Sequence, residues 1–245
     1  MSATDYTPEF FASTRSDSHR SALTVLPPVL ATVAPATAVD IGCGVGTWTS
    51  VLLDHGVDAL GVDGDYVPSA ALQIPADRFR ARDLTRPAWD IAGRYDLAVC
   101  LEVAEHLPEA AADDVVRNLT ELAPVVLFSA AIPWQGGQHH VNEQWQSWWA
   151  ARFAARGFAA YDVVRPAAWL DPGVEWWYAQ NTLLYVGEER ARALTLPAPA
   201  DPAGLDAVHP RLWTKQNREF AIERAVRARL AAARQRLQRV TARRR

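Results

Sequence analysis

The sequence predicts an α/β fold built on an open sheet, and three observations carry that prediction. First, an apolar run, Ala38-Val39-Asp40-Ile41, enters Gly42-Cys43-Gly44-Val45-Gly46 and then a helix-like stretch, Thr47–His55. That is a strand, a tight glycine turn and a helix start, which lets backbone approach a ligand closely and leaves helix N–H groups free. Second, further apolar runs also end in acidic residues, at Asp63 and Asp83. Third, ligand sites in open α/β sheets gather at the carboxyl ends of the strands, where these residues fall.

The elements follow in order. Residues 1–17 read as loosely ordered, and Ser18–Val33 as a helix interrupted or started at Pro27-Pro28. The second strand runs from Val57 to Asp63, with Asp63 lying 17 residues beyond Gly46. The third is Phe79–Leu84 and the fourth Tyr95–Cys100, followed by a helix over Ala110–Leu122 and a fifth strand over Pro124–Ser129. Residues 130–145 then form a polar, glycine-containing insertion with Trp134, His139, His140, Asn142, Glu143 and Trp145. Such loops carry substrate groups on this kind of scaffold. Asn142 is placed to cap a helix Glu143–Arg156, the sixth strand is read at Tyr161–Val164 and the last at Thr182–Val186.

Composition bounds the rest. The chain has 245 residues, nearly half hydrophobic, enough for one large domain with an appendage. Cys43 and Cys100 are the only cysteines, which suggests reduced thiols in a cytoplasmic protein. The first residues are polar and acidic, so no signal peptide is expected, and no apolar run approaches a membrane span. Net charge is −3, but Arg211 to Arg245 holds 12 Lys/Arg against 2 Glu, leaving −13 on the remainder. This arm reads as a solvated helix, and nucleic acid is not expected as a partner. Val226, Leu230, Ala233, Leu237 and Val240 step by 4, 3, 4, 3, a short seam that would either pair two copies in a homodimer or dock on the body.

The glycine turn reads Gly-x-Gly-x-Gly, not the Gly-x-Gly-x-x-Gly of dinucleotide binders, and an Asp precedes the first glycine by two. It resembles the cofactor loop of class I S-adenosylmethionine-dependent methyltransferases. The segment Glu102-Val103-Ala104-Glu105-His106-Leu107 resembles that family's motif after the fourth strand. The resemblance covers about residues 35–190. It implies a Rossmann-like, doubly wound, seven-stranded, mostly parallel sheet with helices on both faces, to which the chain adds the C-terminal basic helix. The expected organisation is an N-terminal lid or helix (1–34), a cofactor-binding domain (35–190), a proline-rich linker (191–210) and a basic helical arm (211–245). Tyr6, Phe10 and Phe11 are lid candidates.

The implied cofactor is S-adenosylmethionine. The resemblance assigns it Asp40, Gly42, Cys43, Gly44, Gly46, Trp48, Gly64, Leu101 and Glu102, with Asp63 on both ribose hydroxyls and Asp83 and Leu84 at the adenine. Methyl transfer to a hydroxyl needs a base, and histidine suits neutral pH. His106 and His140 are the base candidates, with Glu143 beside them; Trp134, His139, Asn142 and Gln180 are expected around the substrate. The expected reaction is O-methylation of a small hydroxylated metabolite or sugar in specialised metabolism. The alternatives are methylation at nitrogen, carbon or a carboxylate, since fold does not choose among these. A further alternative is metal-assisted methylation of an RNA 3′-terminal 2′-hydroxyl. Glu102, Glu105 and His106 with a later His resemble the metal set of small-RNA terminal 2′-O-methyltransferases, so a divalent metal is a candidate second cofactor. Ubiquinone-pathway O-methyltransferases carry a similar segment.

Overall fold

The computed structural model describes residues 8–242, with side chains at 17–227 and at 229 and 230. It divides into two compact units, Met1–Ala207 and Val208–Arg245.

The first unit is a seven-stranded sheet: β1 (Thr37–Ile41), β2 (Asp58–Asp63), β3 (Phe79–Ala81), β4 (Leu97–Leu101), β5 (Val125–Ser129), β6 (Phe158–Tyr161) and β7 (Leu183–Gly187). Its order is β3-β2-β1-β4-β5-β7-β6, with β7 antiparallel to both neighbours and the other pairings parallel. Strand side chains alternate between two cores. Leu97, Val99, Val125 and Leu127 face one; Ala98, Cys100, Val126 and Phe128 face the other. Burial on both faces explains why these strands read as continuous apolar runs.

The first core is closed by α1 (Pro8–Val33), α2 (Thr47–Asp54), α5 (Arg165–Ala168) and α6 (Trp176–Asn181); the second by α3 (Ala112–Leu122) and α4 (Gln146–Ala154). On α3 the buried Val115, Val116, Leu119 and Leu122 recur at helical spacing. A short α7 (Glu188–Ala191) follows β7. The chain reverses its sideways progress between β1 and β4, so the cleft is expected at the ends of those strands. Among the described residues no helix is long and apolar enough to cross a membrane.

Several boundaries differ from expectation. Helix α1 starts at Pro8 and runs unbroken through Pro27 and Pro28. Each proline costs roughly 3 kcal/mol in a helix interior, but Ala22, Val25, Leu26, Val29 and Val33 are fully buried, and the larger ones each return about 1.5–3 kcal/mol. Strand β3 stops at Ala81, two residues short of Asp83. Strand β6 lies three residues earlier than expected, because Asp162 accepts the Arg165 N–H and turns the chain into α5. Helix α4 begins at Gln146 rather than Glu143, with Trp145 at its N-cap and no side-chain cap, so Asn142 is not a cap. Glu143 is instead drawn back into the loop by bonds to the Trp134 and Gly136 N–H groups. The stretch expected as a linker is docked up to Ala207. Ala191, Leu194 and Leu196 pack on the core, Leu205 is buried, and Asp206 accepts from the Ser147 N–H and hydroxyl.

Among its described residues the second unit holds one helix, α8 (Pro210–Ala242). Val226 and Leu230 of the expected seam are exposed, and its other three positions lie outside the described side chains. Tyr6 lies outside the described residues, as do the side chains of Phe10 and Phe11.

Candidate cofactor and acceptor cleft

A cleft of about 850 Å³ opens at the carboxyl ends of β1, β2 and β4. Its first wall is the glycine turn. Gly42 sits at φ +74, and a Cβ there would overlap the Val103 side chain, so only glycine fits. The Gly42 and Cys43 N–H groups are spent on the Val62 carbonyl, at 2.8 and 3.1 Å, which pins the turn to β2. Gly46 does not line the cleft; at its φ of +86 a Cβ would overlap the Ile74 side chain.

Asp63 ends β2 and is buried. One carboxylate oxygen accepts the Gly44 N–H at 2.7 Å; the other accepts the Gly64 N–H at 2.6 Å and the Tyr66 hydroxyl at 2.5 Å. A carboxylate offers about four lone pairs, so one remains. The expected contact with the ribose hydroxyls would draw on that remaining lone pair or displace the Tyr66 hydroxyl. Burial raises the Asp63 pKa, opposed by Tyr66 and the two N–H groups. Asp40, also buried, accepts the Thr49 hydroxyl at 2.7 Å, and burial pushes its pKa up to about 7. Asp83 and Leu84 line the cleft, but Asp83 is held in its own turn by the Thr85 N–H and hydroxyl, which lower its pKa.

The second wall combines the end of β4 with the loop after β5. Glu102 adopts φ +55, a conformation a side chain rarely takes. Three contacts hold it there. Its N–H reaches the Ser129 hydroxyl, and its two carboxylate oxygens accept the side-chain amides of Gln135 at 2.7 Å and Asn181 at 3.1 Å. Gln180 closes this network on Gln135 and Asn181, so it is buried behind the cleft and does not line it. The next acid, Glu105, is fully buried; the Glu105 and Ala131 N–H groups approach its carboxylate, but neither oxygen meets a donor at full hydrogen-bonding geometry among the described residues. Burial, and then the nearby Glu102 charge, raise its pKa well above the carboxylate range. Its carbonyl accepts the Val141 and Asn142 N–H groups, clipping the loop over it.

His106 and His140 meet at the base of this wall, ring centroids 5.0 Å apart. Burial, then the neighbouring His140, lower the His106 pKa to about 4, so it is neutral at physiological pH. One ring nitrogen bonds the His139 backbone, and Nδ1 has no partner among the described residues. His140 Nδ1 lies 3.0 Å from Glu143 Oε1. A carboxylate only accepts, so Nδ1 carries a proton, and in the neutral ring the lone pair is on Nε2. Glu143 itself does not line the cleft and acts by positioning His140 and the loop backbone.

The structure therefore brings Asp40, Gly42, Cys43, Gly44, Trp48, Asp63, Gly64, Asp83, Leu84, Leu101, Glu102, His106, His139 and His140 to one cleft. It does not bring Trp134, Asn142 or Gln180 there: Trp134 is 66% exposed beside Trp145, and Asn142 is buried under the loop. Sequence reasoning missed Ser18, Tyr66, Arg82, Gln135, Trp177 and Tyr178 as lining residues. Of these, Gln135 lay in the polar insertion, Ser18 at the start of the expected first helix, Arg82 in the expected third strand, and Trp177 and Tyr178 in the stretch leading into the last strand.

A sheet of this order, with its cleft at the strand ends beside a glycine turn, defines a class I S-adenosylmethionine-dependent methyltransferase domain. The chain belongs to the family described as the methyltransferase domain, whose model matches residues 12–169. Ubiquinone biosynthesis O-methyltransferase of Acinetobacter baumannii (strain AYE) is 30% identical over 86 residues, 32% of this chain and 36% of the relative. The chain thus matches about a third of that relative's length. The protein of the same description from Rhodopseudomonas palustris (strain BisA53) is 28% identical over 178 residues, 66% of this chain and 64% of the relative. Among solved structures, magnesium protoporphyrin IX methyltransferase of Synechocystis PCC 6803 with bound SAH superposes with TM-score 0.53. It is 17% identical, over 73% of this chain and 87% of that one.

Proposed function

We propose that the protein methylates a hydroxyl of a small acceptor carrying no phosphate or carboxylate, with His140 as general base. The observation that carries this is the Glu143–His140 pair on the cleft wall, which fixes the tautomer and leaves Nε2 as acceptor for the hydroxyl proton. S-adenosylmethionine, when bound, supplies a methyl group activated on a sulfonium sulfur. The chain's residues suit such a cation: Asp40, Asp63, Asp83 and Glu102 line the cleft, and Arg82 is the lone Lys or Arg among its described lining residues. The same charge disfavours phosphate or carboxylate acceptors, RNA termini included. The relatives named O-methyltransferases support oxygen over nitrogen as the acceptor atom.

Incubation with methyl-labelled cofactor and a panel of neutral polyols, phenols and sugars tests the reading. The expected product is an alkali-stable methyl ether. A methyl ester or a methylamine as the sole product overturns it.

A specific observation favours a second reading, in which a divalent cation joins the site. Ligand atoms of Glu105, His106 and His140 lie within 4.8 Å of one another. The unpartnered oxygens of buried Glu105, the lone pair of neutral His106 and the Glu143 behind His140 fit what a metal requires of its ligands and their support. A bound cation would supply Lewis acidity toward a diol. Addition of Mn²⁺ or Mg²⁺ is then expected to raise the melting temperature of chelator-treated protein by several degrees. An unchanged melting curve, with turnover surviving chelation, removes the metal.

A further inference from the structure

One wall of the cleft carries polar groups that the acceptor chemistry leaves unused. Tyr178 of α6 is buried, and its hydroxyl lies 3.3 Å from Ser18 Oγ of α1. Trp48, in the first turn of α2, packs edge-on against the Tyr178 ring with centroids 5.0 Å apart. Trp177 lies on another side, at 6.0 Å. All four residues line the cleft next to the glycine turn. The Trp48 and Trp177 indoles both approach the Tyr178 hydroxyl as donors, yet Trp48 Nε1, buried, reaches no acceptor at hydrogen-bonding geometry among the described residues.

Counting donors shows what the group lacks. An indole N–H only donates, while a hydroxyl has one proton and two lone pairs. The Ser18–Tyr178 contact uses one of the two hydroxyl protons, and the other, with the unspent Trp48 N–H, is left to be donated outward. Burial holds the Tyr178 pKa up to about 12, so its proton stays on throughout the physiological range. With Ser18, the pocket presents more donors than acceptors, and a buried donor without a partner is costly. A ligand that supplies only acceptor oxygens satisfies this set. The acidic groups are a short distance away: Glu102 is close enough for its charge to act on Tyr178, and Asp40 lines the same cleft. Donors on one side and carboxylates on the other match an amino-acid zwitterion.

We infer that Tyr178, Ser18 and Trp48 bind the carboxylate of the cofactor's amino-acid end through neutral donors, without an arginine. This rests on S-adenosylmethionine being the cofactor. Calorimetry with two ligands tests it: S-adenosylhomocysteine, which has the amino-acid end, and 5′-methylthioadenosine, which lacks it. Tyr178→Phe is expected to weaken S-adenosylhomocysteine about tenfold and to leave 5′-methylthioadenosine unchanged, with Ser18→Ala acting in the same direction. The second ligand also reports that the variant is folded. Unchanged affinity for S-adenosylhomocysteine, or an equal loss for both ligands, overturns the inference. Wild-type protein that binds neither ligand overturns the cofactor reading beneath it.

Discussion

His140→Ala is expected to lower turnover by about 10²–10⁴-fold while leaving affinity for S-adenosylhomocysteine within about twofold of wild type. The size follows from the role: a positioned base that removes a proton in the transition state contributes that factor, and one that merely packs does not. The imidazole is oriented at two points. Glu143 fixes Nδ1 as a donor, and the ring edge meets His106. His106 itself is a poor candidate for this work. Burial and His140 depress its pKa to about 4, so it gains little by accepting a proton near neutrality. Steady-state kinetics paired with calorimetry separates the outcomes. Unchanged turnover makes His140 structural, and an equal fall in cofactor affinity places it in cofactor binding.

The second large effect is on stability and has a sign fixed by pH. Asp40 is buried, and burial above all, with the Asp63 charge adding and the Thr49 bond opposing, lifts its folded pKa to about 7. In the unfolded chain an aspartate titrates near 4. Between those values the folded protein holds a proton that the unfolded chain has lost, so stability falls as pH rises through the window. The stabilisation is complete below pH ~4 and gone above pH ~7, a span on the order of 4 kcal/mol. Asp40→Asn stays neutral and can still accept the Thr49 hydroxyl. The variant is therefore expected to melt with wild type at pH 4 and several degrees above it at pH 8. Calorimetric scans at the two pH values decide this; parallel behaviour at both removes the assignment. At pH 8, where the Asp40 carboxylate lining the cleft is ionised, the same variant is expected to bind the cationic cofactor less well.

Much of the fold was legible along the chain because the signals are local. The glycine turn was readable because φ +74 at Gly42 and the clash a Cβ would meet leave one residue type. Strands β4 and β5 were readable because burial on both faces makes them continuous apolar runs. Boundaries were misread where a distant group outbid a local preference. Asn142 has the chemistry of a helix cap, but its N–H is taken by the Glu105 carbonyl, and the helix starts four residues later. Pro27 and Pro28 signal a break that a fully buried helix face overrides.

The sequence by itself determined the class of sheet, the cofactor loop, the acidic strand ends and the pairing of a Glu-His segment with a His-rich loop. Each is written in residues close together, whose backbone requirements only certain side chains meet. Tertiary structure decided how those groups are used. It bound Asp63 to Gly44, Gly64 and Tyr66, buried Glu105 beside Glu102, turned Trp134 out to solvent, and gathered Ser18, Trp48 and Tyr178 from three helices into one pocket. Residues separated by as many as 160 positions share a hydrogen bond there, and no local pattern encodes such a contact, because it forms only when the helices pack against the same sheet.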